Sequence, residues 1–285
     1  MVLSEAQSVA VVGGGFMGTG IAESVAVSGL PVVVRDVDAS SLERAHERIE
    51  ASLARAVRGG KLDQAQAEEA LARVTLTTEF ESLAGVDVVL EAVPEDRRLK
   101  LDVMQTIDEV IDERSLVASN TSSIPIAELA HKLRAPERVL GLHFFSPVPV
   151  MRLVEVVVAL DTAPETVTRA RAFVERLGKR PIETKDRSGF IVNMLLVPYL
   201  MAAVRMYEDG FASREDIDAG MQLGCGHPMG PLALCDFIGL DVLYAVCDSL
   251  YEEFKRDEYA PPPLMKRMVA SGRLGRKSAR GFYEY

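Results

Sequence analysis

The chain has 285 residues and a formal net charge of −10, from 32 Lys and Arg against 42 Asp and Glu, with 48% hydrophobic and 26% charged residues. This length exceeds that of a usual single domain, and the composition excludes disorder. An acidic balance without a run of Lys or Arg argues against nucleic acid and anionic membrane as partners. Three cysteines, with no CxxC and no neighbouring His pair, fit neither a disulfide framework nor a zinc site; buried free thiols and no metal are expected. The start lacks the basic region of an export signal. The most apolar stretch, FIVNMLLVPYLMAAV (190–204), contains Asn193 and Pro198 and is too short to span a bilayer, so a soluble cytoplasmic protein is expected.

In chain order, SVAVV (8–12) reads as a buried strand, residues 17–28 as a helix and PVVVRD (31–36) as a second strand. VDVVLEAV (86–93), SLVAS (115–119), RVLGLHFF (138–145), RLVEVVVAL (152–160) and KRPIETK (179–185) continue the series, with a further strand near Thr75. β-branched runs alternating with helices predict a doubly wound parallel sheet covered on both faces. Residues 37–74 are too long for an ordinary crossover. They read as two helices, 40–59 and 62–74, forming a charged hairpin that projects from the sheet. From about residue 188 the pattern is helical throughout. An α/β domain over 1–186 followed by an all-helical domain over 187–285 is therefore expected.

Gly13, Gly15 and Gly18 form G-x-G-x-x-G between the first strand and its helix, with Phe16 and Met17 inside the motif. In that context Gly13 permits the turn, Gly15 the approach of a pyrophosphate, and Gly18 the packing of helix on strand, as in a Rossmann-type nucleotide site. Asp36 ends the second strand, where a carboxylate accepts both ribose hydroxyls and repels a 2′-phosphate, favouring NAD over NADP. The neighbouring Arg35 is a counter-signal, but strand alternation points it to the other side.

His143 closes an apolar strand before Ser146-Pro147, and Glu155 lies among valines. A carboxylate in so apolar a run requires a partner, and His143 is the nearest in sequence. A His oriented by a buried acid is suited to general base catalysis. Either residue alone is as readily structural; the pair is the stronger signal. Asn120, Thr121, Ser122 and Ser123 follow another strand end, with Ser123 a candidate N-cap for the helix starting near Pro125. Asn193 needs a partner for its amide, and on residues alone it reads as core structure.

VVGGGFMGTGIA (11–22), EAVPEDRRLK (91–100), SNTSSIPI (119–126), GLHFFSPVPVMRLVEVV (141–157), KDRSGFIVNMLLVPYL (185–200), GCGHPMGPLALCDFIGLD (224–241) and GRKSARGFYEY (275–285) together resemble the L-3-hydroxyacyl-CoA dehydrogenase family, particularly its short bacterial members acting on 3-hydroxybutyryl-CoA. The resemblance runs end to end. It implies NAD-dependent oxidation of a short (S)-3-hydroxyacyl-CoA by a homodimer. By resemblance His143 is the base, Glu155 its orienting acid, Ser122 a hydrogen-bond partner of the reacting oxygen near the nicotinamide, and Asn193 lies beside the substrate carbonyl. Glu95, Lys100, Asn120, Ser146 and Lys277 fall in the NAD site. Ser52 matches a coenzyme A contact on the hairpin, and Ser122 also faces the substrate. Ser146 stands where the family often has Asn, and Ser188 where proline is usual. Gly59 replaces a lysine whose charge Arg58 or Lys61 would have to supply. Two other readings are a sugar-acid dehydrogenase of the L-gulonate type and a catalytically silent NAD-binding protein.

Overall fold

The computed structural model describes residues 6–285. The chain divides after Asp186 into two compact units. The first runs β1 (Val9–Val12), α1 (Phe16–Val27), β2 (Val32–Arg35), α2 (Ala39–Arg58), α3 (Gln64–Ala72), β3 (Val74–Thr77), β4 (Val88–Glu91), α4 (Arg97–Val110), β5 (Leu116–Ser119), α5 (Ile126–Ala130), β6 (Val139–Phe144), β7 (Leu153–Val158), α6 (Pro164–Arg176) and β8 (Arg180–Lys185). The strands form one sheet in the order β3-β2-β1-β4-β5-β6-β7-β8. Central strands β1, β4, β5 and β6 are buried at every position, which is why their sequences are continuously apolar rather than alternating.

The sheet departs from the all-parallel expectation at its far edge. β7 runs antiparallel to β6, and β8 parallel to β7. The connection from β6 to β7, residues 145–152, contains no helix and is too short for the crossover that a parallel neighbour demands.

The inserted hairpin docks on α1. Asp38 caps α2 by accepting from the Ser41 amide at 2.7 Å, and Asp63 and Gln66 close a reciprocal capping box on α3. Leu42, Ala45, Ile49 and Leu53, spaced three and four apart, are buried on one stripe of α2. The α5 N-terminus differs from expectation: Asp186 accepts from the amides of Ile126 and Ala127 at 2.9 and 2.8 Å, and Ser123 does not cap it. A carboxylate there satisfies two orphan donors and meets the positive end of the helix.

The second unit comprises α7 (Val192–Glu208), α8 (Arg214–Cys225), α9 (Pro231–Ile238), α10 (Leu240–Phe254) and α11 (Pro263–Ala270). Its core includes Val197, Leu200, Leu232, Leu240 and Leu250. Buried Asp236 accepts from the amides of Phe282 and Tyr283 and the Tyr285 hydroxyl, fastening the last residues to α9. Cys235 and Cys247 are buried, and burial pushes the Cys247 thiol up to about 12; Cys225, against expectation, is exposed at the end of α8. Among the described residues no helix is long and apolar enough to cross a membrane.

A buried ion cluster ties α4 to the segment preceding β6. Asp108 pairs with Arg138 and, at 3.1 Å, with Arg134, whose backbone amide also donates to it. Burial pushes the Asp108 carboxyl up, but the Arg134 amide and both guanidinium groups outweigh it and hold it below the usual range. Asp108→Ala strands Arg138 in the interior and is expected to cost about 3–5 kcal/mol by urea unfolding at pH 7. Because the folded carboxyl titrates lower than the unfolded one, its contribution is complete above about pH 4 and is lost as pH falls through the folded value. The stability-against-pH curve of the parent should therefore fall more steeply below about pH 4 than that of Asp108→Asn.

Candidate active site

The loop after β1 is a tight glycine turn. Gly13 has φ +106°, and a Cβ there would sit 2.7 Å from the Ala92 carbonyl oxygen; one on Gly18 would lie 1.8 Å from that of Gly13. Both positions therefore exclude any side chain. Gly15, at the N-cap of α1, instead faces open space, with nothing within 4 Å of an added Cβ. Room in front of a helix N-terminus is what a pyrophosphate requires. Phe16 and Met17 form the first turn beside it, with Phe16 exposed.

Asp36 bridges this loop to β2. Its Oδ2 accepts from the Gly14 amide at 2.7 Å and its Oδ1 from the Val37 amide at 2.6 Å. Each oxygen retains acceptor capacity for a ribose hydroxyl. Arg35 is held elsewhere: its Nε donates to the Thr78 carbonyl at 3.1 Å, and the guanidinium lies 3.8 Å over the Phe80 ring. The glycine loop and the acid thus fit an NAD adenosine and pyrophosphate.

At the other strand ends, His143 and Glu155 face one another as register partners across β6 and β7. His143 Nδ1 lies 2.7 Å from Glu155 Oε2, and Glu155 is fully buried. The acid orients the ring, and Nε2 is the nitrogen turned away from it. Phe145 packs on the imidazole with ring centroids 4.6 Å apart.

Ser122 follows β5, the strand hydrogen-bonded beside β6. Its turn is organised by Glu95, whose Oε1 accepts from Thr121 Oγ1 at 2.6 Å, the Ser122 amide at 3.0 Å and Ser123 Oγ at 2.9 Å. Burial raises the Glu95 carboxyl; Lys100 and these donors more than compensate and leave it below its ordinary value. Lys100 is itself buried. Its ammonium donates to Glu91 Oε1 at 2.8 Å and the Val93 carbonyl at 3.1 Å, and pairs with Glu95 at 3.3 Å. Three donors thereby find three protein acceptors, which ties the Lys100 ammonium to the β4–α4 turn. Glu91, missed from the sequence, completes this chain through Ser119 Oγ at 2.6 Å. A carboxylate ending an apolar strand, with a lysine nine residues on, was the available signal.

The remaining candidates divide between the units. Asn120 spends its Oδ1 on the Phe144 amide at 2.9 Å, locking the ends of β5 and β6 together. Ser146 is exposed after β6. Ser52 and Lys61 line a groove of about 920 Å³ with Arg55, Glu23, Val148 and Lys179, all within the first unit. In the second unit, Asn193 is half-buried in the first turn of α7, and Lys277 is bound to Asp241 at 2.5 Å.

Family models give the same division. Residues 8–187 match the NAD binding domain of 3-hydroxyacyl-CoA dehydrogenase, and residues 189–285 its C-terminal domain. The 3-hydroxybutyryl-CoA dehydrogenase of Mycobacterium tuberculosis is 48% identical over 281 residues, covering 98% of both chains. That of Clostridioides difficile is 40% identical, covering 97% of this chain and 98% of its own. The crystal structure of (S)-3-hydroxybutyryl-CoA dehydrogenase from Ralstonia eutropha superimposes with a TM-score of 0.94 at 44% identity, covering 99% of each chain. The chain is thus a member of the 3-hydroxyacyl-CoA dehydrogenase family, and its first unit is that family's NAD-binding domain.

Proposed function

We propose that this NAD-dependent dehydrogenase interconverts a short (S)-3-hydroxyacyl-CoA, such as 3-hydroxybutyryl-CoA, and the 3-oxoacyl-CoA, with His143 as general base. The observation that carries this reading is the 2.7 Å contact between His143 Nδ1 and buried Glu155, at the strand ends that also carry the Ser122 turn. The three relatives described above, each named a 3-hydroxybutyryl-CoA dehydrogenase, support the substrate.

When bound, NAD supplies the hydride acceptor. His143 Nε2 takes the proton of the substrate hydroxyl, and Glu155 stabilises the imidazolium that results. Ser122 donates to the reacting oxygen, held in place by Glu95 through its amide and its neighbours. The family resemblance assigns Asn193, at the start of α7, a place beside the substrate carbonyl. Asp36 and the amides of the glycine loop hold the adenosine and pyrophosphate. Ser52 and Lys61 meet the coenzyme A portion in the groove, where Arg55 adds to the positive charge.

His143→Gln should lower kcat with acetoacetyl-CoA by about 10²–10⁴-fold in an NADH absorbance assay while NADH binding persists; undiminished turnover would refute the base. Asp36→Asn should weaken NADH binding by about tenfold, the scale of one charge-assisted hydrogen bond, and narrow the preference over NADPH. An unchanged cofactor ratio would remove Asp36 from recognition. The second unit leaves Leu195 and Leu223, 72% and 88% exposed, on helices α7 and α8, as expected of a homodimer interface. Light scattering at micromolar concentration should give twice the chain mass.

A further inference from the structure

The turn between the two members of the proposed catalytic pair is fastened from below by a residue far away in sequence. Lys179 lies between α6 and β8, and its ammonium donates to the carbonyls of Val148 at 2.6 Å and Met151 at 2.9 Å. Those carbonyls belong to the 145–152 connection, which leaves β6 just after His143 and Phe144 and enters β7 ahead of Glu155. The connection folds back on itself, with the amides of Val150 and Met151 both donating to the Pro147 carbonyl at 2.9 and 3.0 Å. One ammonium thereby satisfies two of its carbonyls at once. Buried Val148 also packs on α1 at Gly20, so closely that a Cβ on Gly20 would come within 2.9 Å of the Val148 Cβ. The turn thus touches both a cation and a helix glycine. Burial holds the Lys179 ammonium below its ordinary range, and buried Glu23, one helical turn beyond Gly20, only partly offsets this.

This arrangement matters because the turn serves two places. It carries Ser146 immediately after the strand of His143, and Val148 also forms a wall of the groove that holds Ser52 and Lys61. We propose that Lys179 is a positioning residue which, by tying the carbonyls of Val148 and Met151, fixes this turn and so sets both acyl-CoA binding and turnover. It acts through the turn. The kinetic part rests on the acyl-CoA reading above; the clamp itself does not.

The test compares the full-length enzyme with Lys179→Met, Lys179→Arg and Gly20→Ala, counting active sites by NADH fluorescence and working well below the melting temperature. Lys179→Met should lower kcat about tenfold and raise the KM for acetoacetyl-CoA severalfold, with a smaller loss of NADH affinity through Ser146. Lys179→Arg, which keeps charge and donors, should recover most of the loss. Gly20→Ala, which displaces Val148 with the lysine intact, should reproduce the pattern and keeps the test open should Lys179→Met fail to fold. Hydrogen–deuterium exchange over residues 145–152 should accelerate in Lys179→Met. Unchanged per-site kcat and KM in Lys179→Met, or a fall in melting temperature alone, would overturn the assignment. If the parent enzyme turned over no acyl-CoA, the substrate reading would fall, and exchange would decide the clamp: faster exchange supports it and unchanged exchange overturns it.

Discussion

Reversal of the chain after β6 is the constraint on which the site depends. A carboxylate deep in a sheet is tolerated only when a charged or hydrogen-bonding group meets it. Antiparallel pairing supplies that group by placing His143 opposite Glu155 in register. Had β7 been parallel, a helix would have separated the two residues in the chain and their register would have depended on a long crossover. As built, two adjacent backbones of one sheet hold the pair, and side-chain flexibility contributes little to its geometry. The parallel remainder of the sheet then delivers the glycine loop and the Ser122 turn to the ends of neighbouring strands.

Around this pair the polar residues are organised as supports rather than as isolated contacts. Glu91, Lys100 and Glu95 run from the interior of β4 to the turn after β5, each bonded to the next. Each charge meets an opposite charge or a hydrogen-bond partner, so burial does not leave any of these groups uncompensated. Asn120 joins the ends of β5 and β6 in a similar way. These supports place Ser122 and His143 on a rigid frame.

Much of this was legible in the sequence because it rests on local rules. Continuous β-branched runs announced the strands, the glycine spacing and Asp36 announced the nucleotide loop, and an acid among valines announced a buried partner. What escaped were effects of packing between distant segments. Nothing local to Asp186 says that it caps α5, sixty residues away. The buried partners of Lys100, Glu91 at the end of β4 and Val93 and Glu95 in the turn after it, could not be read from its motif alone. The direction of β7 was missed because an apolar strand reads alike in either orientation, and only the length of the preceding connection distinguishes the two. Asn193 reads as core by composition, and the role proposed for it rests on the family resemblance alone.

The groove beside α2 sets a local field against a global one. Arg55, Lys61 and Lys179 line it, although the chain as a whole carries a net charge of −10. A ligand bearing several phosphates is repelled at long range and attracted only near the groove. Salt screens exposed charges beyond about 10 Å at 0.1 M but weakens close contacts less. Encounter with such a ligand therefore quickens as ionic strength rises from low values, before loss of the short-range attraction shortens residence. Association and dissociation thus respond to salt through different charges.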